Sequence, residues 1–214
     1  MRIGIIGVGH IGGTLARHFV RAGHEVAVSN SRGPDTLQDL VAELGELGEL
    51  GELASAATAE DAARFGDVVV VSVPFGRYRE LPTDGVAGKV VIDTNNYYPQ
   101  RDGHFEELDS DRATSSELLQ AHVTGARVVK AFNAIYWEHL RDYGRPAGDP
   151  GRIGIPISGD DAESKRTVAE MIDQIGFDAV DAGALGQGGR QHQPGTDVYT
   201  ADLPTGELRA RLAA

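Results

Sequence analysis

The sequence predicts an α/β fold: a Rossmann-type, doubly wound, mostly parallel sheet with a small C-terminal extension. Three observations predict it. The chain opens on strand, glycine turn and helix; short β-branched runs then alternate with helix-periodic segments; and one run, Asp67 to Val73 (DVVVVSV), is β-branched almost throughout, as a strand covered on both faces is.

The opening is the most specific stretch. Ile3, Ile5 and Ile6 lead into Gly7-Val8-Gly9-His10-Ile11-Gly12, after which Ile11, Leu15 and Phe19 recur at helical spacing. Gly7 lets the chain reverse, Gly9 lets backbone amides approach a pyrophosphate, and Gly12 lets the helix lie close on the strand. The glycine spacing alone is weak. Its place between an aliphatic strand and a periodic helix makes Gly7, Gly9, His10, Ile11 and Gly12 candidate dinucleotide-binding residues, against the plainer reading of a tight turn.

Gly23 suits a helix C-terminus, and His24 to Val28 reads as the second strand. At its exit, where an NAD-specific fold carries an acid for the ribose 2′-hydroxyl, stand Asn30, Ser31 and Arg32. A carboxylate would repel a 2′-phosphate, whereas these donors would hold one, so the expected cofactor is NADP(H). Pro34 then opens a helix carrying Leu37, Leu40, Val41 and Leu44. It runs into a Leu-Gly-Glu repeat through Leu53, which precesses by about 60° per triplet and reads as a weak helical or 3₁₀-like extension.

Pro74 ends the β-branched strand, and in a doubly wound sheet its exit residues Ser72, Val73 and Pro74 lie beside the ligand crevice. The next strand, Gly88 to Asp93, empties into Thr94-Asn95-Asn96-Tyr97-Tyr98. Its amides, hydroxyl and phenols favour a nicotinamide or substrate pocket over a polar turn. Thr94 and Asn95 are expected on the cofactor, Asn96 and Tyr98 on the substrate. Thr114 to His122 reads as a short helix and Gly125 to Lys130 as a strand whose exit aims Lys130 and Asn133 into the same crevice. With Tyr97 these are the candidate catalytic groups, although a surface salt bridge is the alternative for Lys130.

Beyond Tyr136 the pattern weakens. Trp137 anchors a possible helix, Ile153 to Ser158 reads as a strand, and Asp160 with Glu163 resembles a capping box before a helix with Val168, Met171, Ile172 and Ile175. Phe177 to Val180 suits an edge strand. Leu185 to Gly195 is glycine-rich and polar, which suits either a mobile lid bringing Arg190 and His192 to a substrate or a disordered connector to a last helix near Gly206 to Leu212. Residues 1–135 are read as the NADP-binding core and 136–214 as an extension packed on it.

Bulk composition excludes several classes. The 214 residues carry a formal charge of −12, which argues against nucleic acid as a partner. No apolar run approaches the roughly 20 residues of a membrane span, and no leader pattern is present. With no cysteine and seven scattered histidines, neither disulfides nor a metal site is expected. A cytoplasmic setting with a small-molecule redox substrate is expected.

Gly7-Val8-Gly9-His10-Ile11-Gly12, Asn30 to Pro34, the VVSVP strand, Ile92-Asp93-Thr94-Asn95, Val128 to Asn133 and Ile157 to Asp161 together resemble the deazaflavin (coenzyme F-420)-dependent NADP oxidoreductases from end to end. The resemblance implies a homodimer, 2′-phosphate binding by Ser31 and Arg32, and hydride transfer between NADP(H) and coenzyme F-420 as co-substrate. Such transfer needs alignment and water exclusion more than acid or base. A carbonyl or imine acceptor would need a proton donor, for which Lys130, Tyr97, Tyr98 and His192 are available. A non-catalytic NADPH sensor is the remaining alternative.

Overall fold

The computed structural model describes residues 1–48 and 53–213. Eight strands form one sheet in the order β3-β2-β1-β4-β5-β6-β7-β8. They are β1 (Arg2–Ile6), β2 (Glu25–Ser29), β3 (Ala54–Ala56), β4 (Val68–Val71), β5 (Val90–Asp93), β6 (Arg127–Lys130), β7 (Gly154–Gly159) and β8 (Asp178–Asp181). The first six are parallel; β7 turns antiparallel to β6 at Val129↔Gly159 and Lys130↔Ser158, and β8 follows it in parallel. The doubly wound α/β sheet is therefore as expected, and its reversal between β1 and β4 leaves a crevice at the strand exits.

Alternation along β4 shows why the run had to be β-branched. Val68 and Val70 face one core with Ile3, Ile5, Leu15 and Phe19, while Val69 and Val71 face a second with Ile6, Phe75, Leu119 and Leu185. Gly4 in β1 has a packing reason: a Cβ there would lie 1.9 Å from the Ala62 carbonyl oxygen. The backbone of α3 (Ala59–Phe65) presses directly on β1.

The first core is closed by α1 (His10–Arg21), α2 (Gln38–Leu47), α7 (Trp137–Asp142) and α8 (Ala162–Gln174). Short α4 (Pro99–Asp102) and α5 (Glu106–Asp109) follow β5, and α6 (Ser115–His122), α9 (Leu185–Gln191) and α10 (Thr205–Leu212) complete the chain. The Leu-Gly-Glu repeat is helical as far as Leu47; its residues 49–52 lie outside the described residues.

Two expectations are corrected. The helix after β7 is capped by Asp161, whose carboxylate accepts from Ser164 N, while Asp160 accepts from Leu185 N and ties down a later segment. A capping box does occur, at Thr114 and Glu117. Finally, Leu185 to Gln191, within the segment 185–195, is a helix and not a disordered connector. Its glycines serve close packing, because a Cβ on Gly188 would lie 2.6 Å from both the Ala182 oxygen and Ser158 Oγ. Among the described residues no helix is long and apolar enough to cross a membrane.

Candidate functional site

A cavity of about 400 Å³ lies over the glycine turn. Its walls are Ile6 to Gly9, the β2 exit Ser29 to Arg32, the β4 exit Ser72 to Pro74, and Ala59, Arg77, Glu80 and Leu81. The backbone builds it. Gly7 has φ +97°, its N–H donates to Ser29 O at 2.9 Å, and a Cβ there would lie 2.1 Å from Ser72 O. Gly9 is the opposite case, with nothing within 4 Å of an added Cβ. Its open side is a cradle at the positive end of α1, where backbone N–H groups lack intrahelical partners.

At the β2 exit Asn30 is spent on the loop itself. Its Oδ1 accepts from Arg32 N at 2.8 Å and its Nδ2 donates to Thr36 Oγ1 at 2.9 Å, so it shapes the turn that presents Ser31 and Arg32. Arg32 is exposed and has no carboxylate in salt-bridge range among the described residues. A second cavity, of about 520 Å³, shares Val8 and Gly9 with the first and is lined by His10, Thr14, Arg17, Trp137 and Arg141. His10 stacks on Trp137 at 4.5 Å, and Arg141 covers Trp137 at 4.9 Å.

Asn95, 4% exposed, forms the join between the β4 and β5 exits. Its Oδ1 accepts from Val73 N at 2.9 Å, its N–H donates to Asp93 Oδ1 at 2.9 Å, and its carbonyl accepts from Lys130 Nζ at 2.9 Å. Its Nδ2 is buried without a partner. A buried donor left unmatched costs stability, so a polar ligand accepting from it beside Val73 would be favoured. The open side of Gly9, the donors of the β2 exit and this amide fit a phosphate-bearing dinucleotide. Thr94, by contrast, spends its hydroxyl on Val71 O.

Lys130 does not face the crevice. It is 1% exposed, and its ammonium donates to Asn95 O and to Ser116 Oγ at 3.1 Å, with Asp93 Oδ2 at 3.8 Å. Burial lowers its pKa, against the opposing pull of Asp93. Asn133 and His192 are also interior. The Asn133 amide donates to Asn96 Oδ1 and to His192 O, so its Oδ1 accepts from His192 Nδ1 at 2.9 Å; His192 Nε2 then accepts from Ser158 Oγ at 2.8 Å. The imidazole is fully buried, and burial with the nearby Lys130 charge pushes its pKa down to about 3.

That shift has a sign. Unfolded, His192 takes up a proton below about pH 6.5, while the folded chain resists until about pH 3, so the full contribution is present above pH 6.5 and is lost as pH falls. The slope is at most about 1.4 kcal/mol per pH unit. His192→Gln is expected to flatten the stability profile between these limits relative to the unsubstituted chain, as read by urea unfolding at a series of pH values. Parallel profiles would exclude His192 as the titrating group.

The remaining candidates scatter. Tyr97 donates to Asp109 Oδ1 at 2.6 Å, away from the cofactor cavity, and Arg190 is held by Asp111 O at 2.7 Å. Tyr98 and Tyr199 hydroxyls meet at 2.5 Å, with Arg101 4.9 Å over the Tyr98 ring. Burial, with Tyr98 beside it, raises the Tyr199 pKa. Asn96, Tyr98, Asn133 and His192 thus join one network binding the segment 192–199 across the β5 and β6 exits. The sequence reading missed Arg77, Glu80, Trp137 and the Asp93–Lys130 pair. The last had a signal: two opposite charges ending adjacent β-branched strands in register.

A family model described as NADP oxidoreductase, coenzyme F420-dependent, matches residues 2–97. The chain is 31% identical over 186 residues to Metalloreductase STEAP3 of Rattus norvegicus, covering 86% of this chain and 34% of that protein. It is 28% identical over 133 residues to the F420-dependent NADP reductase of Methanocaldococcus jannaschii, covering 59% and 57%. The chain therefore spans about a third and just over half of these curated relatives. Among solved structures, hypothetical protein SMa0349 from Sinorhizobium meliloti superimposes with a TM-score of 0.79 at 30% identity, over 95% of each chain.

Proposed function

We propose that this chain, whose residues 2–97 match the family model of coenzyme F420-dependent NADP oxidoreductases, belongs to that family and passes a hydride between NADP(H) and the flat ring of a deazaflavin coenzyme of the F420 type. The observation that carries the reading is the cavity in which the glycine turn, the β2 exit and the β4 exit converge. Glycine-turn amides at Gly9, His10 and Ile11 would hold the pyrophosphate, Ser31 and Arg32 the 2′-phosphate, and Ser72 to Pro74 with Asn95 the nicotinamide end. Bound NADPH supplies the hydride.

The acceptor class rests on which proton donors are already engaged. Lys130 and His192 are buried in their own hydrogen bonds, Tyr97 is spent on Asp109, and Tyr98 is paired with Tyr199. A carbonyl or imine would require one of them to be released. A deazaflavin requires mainly alignment and exclusion of water, and the Asn96–Asn133–His192 network holds the strand exits rigid for that. NADPH oxidation, followed by its near-ultraviolet absorbance against a panel of deazaflavin, flavin, carbonyl and imine acceptors, tests the reading. Turnover with the deazaflavin is expected. Turnover only with an imine or carbonyl, or with no acceptor at all, defeats it.

Cofactor choice gives a second test. Arg32→Ala is expected to weaken NADPH binding by about 1–3 kcal/mol, the scale of a charge-assisted contact, and to spare NADH. Calorimetry measures both, and equal losses would remove Arg32 from the 2′-phosphate.

A further inference from the structure

The cofactor cavity is lined by two charged side chains besides Arg32 of the β2 exit. Arg77 and Glu80 belong to the short 3₁₀ helix Phe75–Glu80 that follows β4, and both line the cavity that Ser31 and Arg32 line. Their side chains close on each other, with Arg77 Nη2 and Nε at 2.5 and 3.0 Å from Glu80 Oε2. The turn beneath them is rigid, because Phe75 and Tyr78 are buried and stacked at 4.8 Å. Both charged side chains are about half exposed. The wall is therefore fixed in its backbone and free at its tips, and an ion pair exposed on this scale holds only weakly.

We propose that Arg77 is a second specificity-determining residue for the 2′-phosphate of NADPH, held in reserve by Glu80. The inference rests on the NADP reading above. A phosphate carries close to two negative charges and three acceptor oxygens, and competes for a guanidinium better than one solvated carboxylate does. NADH offers only a hydroxyl at that position and leaves the Arg77–Glu80 pair closed. Glu80 thus weakens NADPH binding through the exchange it must undergo, and Arg77 strengthens it. Both effects pass through one guanidinium.

A double-mutant cycle on the full chain tests this, with NADPH and NADH dissociation constants measured by calorimetry. Arg77→Ala is expected to weaken NADPH about tenfold and to leave NADH within about twofold. Glu80→Gln is expected to tighten NADPH about threefold, and that gain is expected to vanish in the Arg77→Ala background. Equal weakening of both coenzymes by Arg77→Ala would place Arg77 on the adenine and overturn the proposal, as would a Glu80→Gln gain that survives without Arg77. An unsubstituted chain that binds neither coenzyme would overturn the NADP reading itself. A chain that prefers NADPH but is indifferent to Arg77→Ala overturns Arg77 alone. Both residues are at the surface, and thermal unfolding of each variant establishes that the fold is retained.

Discussion

Gly9→Ala is expected to fold as the unsubstituted chain does and to lose NADPH, whereas Gly12→Ala is expected to lose the fold first. Two glycines three residues apart in one motif are used for opposite purposes. At Gly12 a Cβ would lie 1.9 Å from the Gly7 carbonyl oxygen and 3.1 Å from Ser72 Cβ, and the backbone on which both sit cannot withdraw. Alanine is normally better than glycine inside a helix by about 1 kcal/mol, but the overlap outweighs it, and a net loss of about 2–4 kcal/mol is expected. Gly9 caps the helix with φ −71° and ψ −157°, open to any residue, and an added Cβ meets nothing. Stability should change by less than about 1 kcal/mol. The same methyl occupies the approach to the helix amides, and NADPH affinity should fall about thirtyfold, some 2 kcal/mol. Urea unfolding and calorimetry on the two variants read the two effects separately; a stable Gly12→Ala or a Gly9→Ala that binds NADPH normally would refute the division.

The same contrast explains what the sequence could reveal. The β1 turn was legible because its three glycines answer three geometric needs at fixed spacing, and β4 and β5 because parallel strands covered on both faces must be β-branched. Strand β3 was not legible. Ala54-Ser55-Ala56 has no strand propensity and exists through its pairing with Val26 to Val28. Helix α9 was misread because Gly186, Gly188 and Gly189 signal flexibility locally, while tertiary packing requires a glycine at 188, where the helix meets β7. Polar residues at strand exits were the hardest case. Asn95, Lys130, Asn133 and His192 all carry chemistry in isolation, and only the structure separates the amide left without a partner from the groups already spent on each other.

Lys130→Met is expected to cost about 3–5 kcal/mol, a large share of the 5–15 kcal/mol typical of a domain. The reason is the partner left behind. Asp93 is fully buried, and without the ammonium 3.8 Å away its carboxylate keeps, among the described residues, only Ser116 Oγ and Asn95 N as donors. Lys130→Met with Asp93→Asn removes both charges and is expected to recover much of the loss, because the penalty lies in the unpaired charge. The consequence reaches the cavity through Asn95, whose backbone Lys130 and Asp93 grip from its two ends. A lysine acting as the proton donor would, when removed from the double variant, take a limb of the pH–rate profile with it. A lysine that only positions Asn95 leaves that profile unchanged in shape and weakens NADPH binding instead. Its burial at 1% exposure beneath the strand exits argues for the second outcome, and a lost limb in a folded double variant would return Lys130 to the chemistry.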